Sequence, residues 1–241
     1  MASVGFSLPL WEAVGDDDYE TVNLLLDNGE DINMSGEKGS SLLFHATATS
    51  IDSTHMIHLL LSRGADVEGN DEPLSALHVA CLFGDVAAAR VLIAYGANVN
   101  VRSKYEEPSI VRAIRYQDDV KSDDQVTMIR LLISSGGDMQ YNRRGKTLLM
   151  YAAQRGGIAV VRELISLGLD PEAYSEKGRT AMTYAHNAGH TEIEDMLRIE
   201  IQYRDSCVAF ATGNQPTSGH NSLVRGLYPE LIDMILDHVS K

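Results

Sequence analysis

The stretches LLLDNGEDIN (24–33), LLLSRGADVE (59–68), VLIAYGANVN (91–100), LLISSGGDMQ (131–140) and ELISLGLDPE (163–172) carry one phrase. A largely apolar triplet is followed by two residues, then by Gly and a small or acidic residue. The glycines are Gly29, Gly64, Gly96, Gly136 and Gly168, separated by 35, 32, 40 and 32 residues. A period near 33 residues with two longer spacings is an internal repeat that carries insertions.

A second phrase opens each unit, 21 residues before the glycine in the uninterrupted copies. It reads SALHVACLFG at 75–84, TLLMYAAQRG at 147–156 and TAMTYAHNAGH at 180–190, with weaker copies at 41–50, 8–17 and 108–117. Together the two phrases resemble the ankyrin repeat, which begins T-P-L-H-x-A-A and ends L-L-x-x-G-A-D. The resemblance covers roughly residues 6–200. It implies an all-α solenoid of helix-turn-helix units joined by finger loops. The repeat domain would span 6–201, with about six units starting near 8, 41, 75, 108, 147 and 180. It also implies a non-catalytic scaffold that binds a protein partner.

The local pattern fits such units. In the third unit, Leu77–Phe83 and Val86–Tyr95 are two amphipathic runs, each too short to be a stable isolated helix. Gly96 fits a left-handed residue closing the second helix. The polar segment Asn98 to Glu107 is expected to turn back as a finger toward the next unit. One unit cannot bury its apolar face; stacked neighbours can. The second unit carries extra residues around Ser50–Ser53. The fourth carries more, and its acidic run Gln117–Gln125 is expected as a solvated loop between helices. Asp16, Asp17 and Asp18 give the first unit a polar outer end, and IEDMLRIEIQYRD suits a closing helix in the sixth.

Composition narrows the function classes. The net charge of −14 repels a phosphate backbone, so nucleic acid is not expected as a partner. Two cysteines, Cys81 and Cys207, cannot form a disulfide framework, which points to a reducing compartment. The N-terminal residues lack a signal-peptide pattern, and no apolar run is long enough to span a membrane. A soluble cytoplasmic or nuclear protein is expected.

No phosphate-binding glycine loop, zinc-protease motif or nucleophile elbow occurs, so no catalytic residue, metal or cofactor is expected. His186 and His190 have a metal-like spacing, but the repeat pattern places them on different elements. His55 and His58, three apart on the second helix of the second unit, are expected on a half-exposed helix face. His78 stands at the histidine of the T-P-L-H phrase, where the resemblance implies a structural hydrogen bond to backbone. Cys81 falls on a buried position, as an inert small hydrophobe.

Residues 202–222 are expected to be irregular, since GNQPTSGHNS (213–222) is rich in turn formers. The segment 223–241 then forms an amphipathic helix with Leu231, Ile232, Ile235, Leu236 and Val239 on one face, begun near Pro229. LYPELIDMILDHV resembles the opening helix of an F-box, the motif that docks substrate receptors onto cullin-type ubiquitin ligases. A complete F-box needs further helices that this sequence does not supply. The helix therefore either caps the stack or docks a second protein, with ligase subunits as one class of partner.

In ankyrin proteins the concave face usually binds, through finger tips and the ends of the first helices. Carried over by register, these positions gather Leu82, Phe83, Arg115, Tyr116, Arg143, Arg144, Lys146, Arg155, Lys177 and Arg179 in units 3 to 6. Gln154, Ser103 and Lys104 fall on the same face. A Leu–Phe pair beside Arg and Tyr has the composition of a binding hot spot. The basic residues, gathered within an acidic chain, would steer an acidic or phosphorylated partner.

Overall fold

A computed structural model describes residues 7–36, 39–49, 53–69, 74–115 and 122–211. Among these the chain forms helix pairs: α1 (Leu8–Gly15) and α2 (Tyr19–Asp27), α3 (Leu42–Thr49) and α4 (Thr54–Ser62), α5 (Ala76–Phe83) and α6 (Val86–Ala94), α7 (Ser109–Arg115) and α8 (Ser122–Ser134), α9 (Leu148–Arg155) and α10 (Ile158–Ser166), α11 (Ala181–Ala188) and α12 (Thr191–Ala211). The first helices stack in chain order, α1 on α3 through to α9 on α11, and the second helices α4, α6, α8, α10 and α12 form a parallel outer layer. The result is the all-α solenoid expected from the repeat.

The recurrent glycine phrase is a helix-ending device. In the third repeat Gly96 has φ +93, its N–H donates to Ile93 O at 3.0 Å, and Ala97 N–H donates to Leu92 O at 3.0 Å. This paired closure, a Schellman motif, requires a left-handed residue that only Gly adopts without steric cost. The same two bonds close the second helices at Gly29, Gly64, Gly136 and Gly168. The polar residues after the glycine have an equally regular task. Asp31, Asp66, Asn98, Asp138 and Asp170 each accept from the backbone N–H two residues on. From repeat to repeat, Asn33 accepts from Asp66 N–H at 2.8 Å, Glu68 from Asn98 N–H at 2.6 Å, and Asn100 from Asp138 N–H at 2.8 Å. This ladder of side chains ties the fingers in register.

The core is thin and built from small residues. Ala13, Ala46, Ala80, Ala113, Ala152 and Ala185 occupy one repeat position, and all are buried. Leu10, Leu43, Leu77, Ile110 and Leu149 occupy another and are fully enclosed. The alanines let the paired helices approach closely, and the larger residues fill the space between repeats.

Three features depart from the sequence expectation. The acidic run is not a loop throughout: Ser122 to Gln125 form the first turn of α8. Asp123 and Asp124 there favour the positive end of the helix dipole, and Gln125 Nε2 donates to Ala113 O at 2.9 Å and Ile114 O at 3.1 Å. Irregular chain does not begin at 202 either, because α12 continues to Ala211. Before Gly213 that segment has neither Gly nor Pro, and an Arg204–Glu200 ion pair at 2.9 Å spans one turn. Ser103, expected on a finger tip, is buried. The expected C-terminal helix, with Leu231, Ile232, Ile235, Leu236 and Val239, lies outside the described residues, as does Tyr116.

Candidate binding surface on the first helices

The surface grows from the finger that precedes α9. Strands β1 (Asn142–Arg143) and β2 (Lys146–Thr147) pair antiparallel around the two-residue turn Arg144-Gly145. Both turn residues have positive φ, +55 for Arg144 and +71 for Gly145, the geometry of a type I′ hairpin. Gly is required at 145, where a Cβ would lie 2.6 Å from the Glu176 nitrogen of the next finger. Glu176 N–H donates to Arg144 O at 3.1 Å, which fixes the hairpin against its neighbour. Arg143 and Lys146 flank the turn as cross-strand partners.

Arg115 ends α7, and Gln154 and Arg155 end α9. These helix ends and the hairpin enclose a pocket of 280 Å³ lined by Arg115, Lys146, Tyr151, Gln154 and Arg155. The Lys146 ammonium sits 4.1 Å from the centre of the Tyr151 ring and 4.8 Å from that of Tyr184, and it donates to Gln154 Oε1. Burial and then repulsion from Arg115 lower its pKa, against the opposing pull of Glu107. Arg155 Nε is buried and has no hydrogen-bond partner among the described residues.

Paired with Arg115 is a residue that the repeat pattern did not single out. The Glu107 carboxylate is buried and faces the guanidinium groups of Arg115 at 2.9 Å, Arg112 at 3.5 Å and Arg143 at 4.0 Å. Arg143 also donates to Tyr105 O at 2.7 Å. Two of the predicted basic residues, Arg115 and Arg143, thus already share a counter-charge. The sequence signal was faint: an acidic residue just before Pro108 at a helix start, with Arg112 and Arg115 on the helix that follows. Tyr151 and Tyr184 were more legible, since both stand directly before the buried Ala of their repeats.

The remaining predicted residues do not line this pocket. Leu82 and Phe83 are exposed, at 37% and 52%, at the end of α5. Arg144, Lys177 and Arg179 are exposed on the two fingers. The loop carrying Lys177 and Arg179 is closed by Ser175 N–H to Arg179 O at 3.0 Å.

The histidines engage protein groups. His78 Nε2 donates to Glu107 O at 3.0 Å, and Nδ1 accepts from Ser75 Oγ and N. Burial lowers its pKa and holds it neutral. His190 Nε2 lies 3.2 Å from Gln154 O, and His186 Nδ1 lies 3.0 Å from Glu194, on the far side of the turn. Cys81 is fully buried, which pushes its thiol pKa up. Among the described residues no helix is long and apolar enough to cross a membrane.

Stacked helix pairs closed by glycine and joined by polar fingers define a repeat scaffold. The model of the family "Ankyrin repeats (3 copies)" matches residues 10–103 and again 119–205, and the chain belongs to that family. A putative ankyrin repeat protein of Acanthamoeba polyphaga mimivirus is 24% identical over 188 residues, covering 74% of this chain and 23% of its own length. A second from the same virus is 29% identical over 191 residues, covering 76% of this chain and 45% of its own. An ARF GTPase-activating protein of Rattus norvegicus is 26% identical over 155 residues, 57% of this chain and 20% of its own length. The chain therefore spans less than half the length of these relatives. Ankyrin repeats make it a protein-interaction module.

Proposed function

We propose that the protein is a non-catalytic scaffold that holds an acidic or phosphorylated protein segment on the concave face of repeats 3 to 6. The observation that carries this reading is the meeting of Arg115, Lys146 and Arg155 around one pocket, with Arg143 linked to them through Glu107. Glu107 offsets only part of the positive charge there, so the patch keeps a field that attracts anions within an otherwise acidic molecule. Arg144, Lys177 and Arg179 extend that field along the fingers, and Leu82 and Phe83 offer apolar contact at its edge. A partner segment lying across these helix ends would gain steering from the charges and area from the Leu–Phe pair. Changing Arg143, Arg144 and Arg155 together to Glu reverses the field around the pocket. Partner capture from the native source should then fall at least tenfold, with the helical circular dichroism unchanged. Undiminished capture by the folded variant would overturn the reading.

A further inference from the structure

We infer that the pocket between α7, the β1–β2 hairpin and α9 is an anchor for one phosphoryl group carried by a side chain of the partner segment. This rests on the concave-face reading and makes it more specific. The volume of 280 Å³ falls below the range of about 300–1,000 Å³ that encloses small organic ligands, so the pocket suits one side-chain head. Its lining is chosen for an anion: Arg115, Lys146 and Arg155 bring positive charge, and Tyr151 and Gln154 bring polar edges. Counting the neighbours Arg112 and Arg143, several cations share the single carboxylate of Glu107. A monoanionic carboxylate would leave much of that charge unmatched. A phosphoryl group carries about −1.5 to −2 charges and three acceptor oxygens.

Donors line the pocket. Arg155 is among them, and its Nε, closed to solvent and without an acceptor among the described residues, would gain one by a small turn of the side chain toward the opening. Arg115 gives one nitrogen, Nη1, to Glu107. Lys146 is held by the Tyr151 and Tyr184 rings and by Gln154, so its ammonium is already positioned. An arriving dianion would also relieve the repulsion between Lys146 and Arg115. Nucleic acid is disfavoured, since a polyanion would meet the overall charge of −14, whereas one phosphoryl group meets only the local field.

The test uses the full chain and three immobilised degenerate peptide pools, identical except for a central phosphoserine, glutamate or serine. The phosphoserine pool should retain the protein at least tenfold better than the glutamate pool. Arg155→Gln, checked for an unchanged melting temperature, should abolish that preference. If Arg155→Gln perturbs folding, Gln154→Glu, which places a like charge in the pocket from an exposed position, takes its place with the same expected loss. Equal retention on the phosphoserine and glutamate pools would overturn the phosphoryl anchor and leave the acidic-segment reading standing. A phosphoserine preference untouched by either variant would overturn this pocket as its seat. Retention on neither pool would overturn both readings.

Discussion

Repeats 3 and 4 are neighbours that hold their shape by different means. In repeat 3 the devices are helix caps with no ion pair: Ser75 and His78 cap α5 reciprocally, Gly84 closes it in the left-handed conformation, and the Asp85 carboxylate caps α6 by accepting from Ala88 N–H at 2.9 Å. In repeat 4 Pro108 and Val111 stand where repeat 3 has Ser75 and His78. A buried carboxylate, Glu107, holds the finger and α7 together through Arg112, Arg115 and Arg143. The two solutions meet at one point, because His78 Nε2 donates to the backbone oxygen of Glu107. The contrast bears on what each repeat offers a partner. An ionic hub that holds a divergent repeat together also presents guanidinium groups at the surface, whereas caps without arginines leave Leu82 and Phe83 there.

Removing the hub should cost most. Glu107→Ala strands Arg112, which is mostly buried, while Arg115 and Arg143 are half-exposed and can rehydrate. The loss is expected near the low end of the range for breaking a buried ion pair, about 3 kcal/mol, measured by urea unfolding. A loss under about 1 kcal/mol would place the pair in the class of surface salt bridges and erase the contrast between the repeats.

The regular repeats should be most sensitive at their closing glycines. Gly156→Ala puts a Cβ 2.6 Å from the His190 ring and forces an L-residue to φ +94. About 2 kcal/mol of destabilisation is expected, from overpacking together with the backbone conformation. Unchanged stability would show that the α9 end and the His190 ring can relax around the added methyl group.

The smallest effect separates the two repeats by pH. His78 has a folded pKa below its unfolded value of 6.5 because burial disfavours the charged form. Its contribution is fully present above pH 6.5 and is lost as pH falls through the folded value, since the unfolded chain binds the proton first. The urea midpoint should therefore decline on acidification below that pH. The decline should be shallower in His78→Gln than in the parent, and His45, also lowered by burial, accounts for part of what remains. Equal slopes would show that His78 does not titrate with folding.

The sequence made the fold legible because its signals are local. Gly96 and its counterparts announce the helix ends, and the column of alanines from Ala13 to Ala185 announces the close-packed faces. Helix lengths were harder to read. Ser122–Gln125 looked like solvated loop because acidic residues suit both a loop and a helix N-terminus, and only the Gln125 bonds to α7 decide it. The continuation of α12 past 201 was hidden by reading the turn-rich 213–222 stretch backward into a good helix former. The candidate site was legible through register, which placed Arg115, Lys146 and Arg155 on one face. Glu107 escaped because its burial depends on arginines from α7 and the β1–β2 hairpin meeting in space, a contact that no local spacing encodes.

On the proposed reading the basic centre of repeats 4 and 5, rather than the end of α5 in repeat 3 or the outer helices, receives the partner's anion. The most direct test follows the arginine Nε–Hε and tyrosine ring resonances of the full chain during titration with the phosphoserine peptide pool. Shifts are expected at Arg115, Arg155, Tyr151 and Tyr184, with little change at Tyr19 at the start of α2. Shifts centred on Tyr19, with Arg115 and Arg155 unmoved, would contradict it.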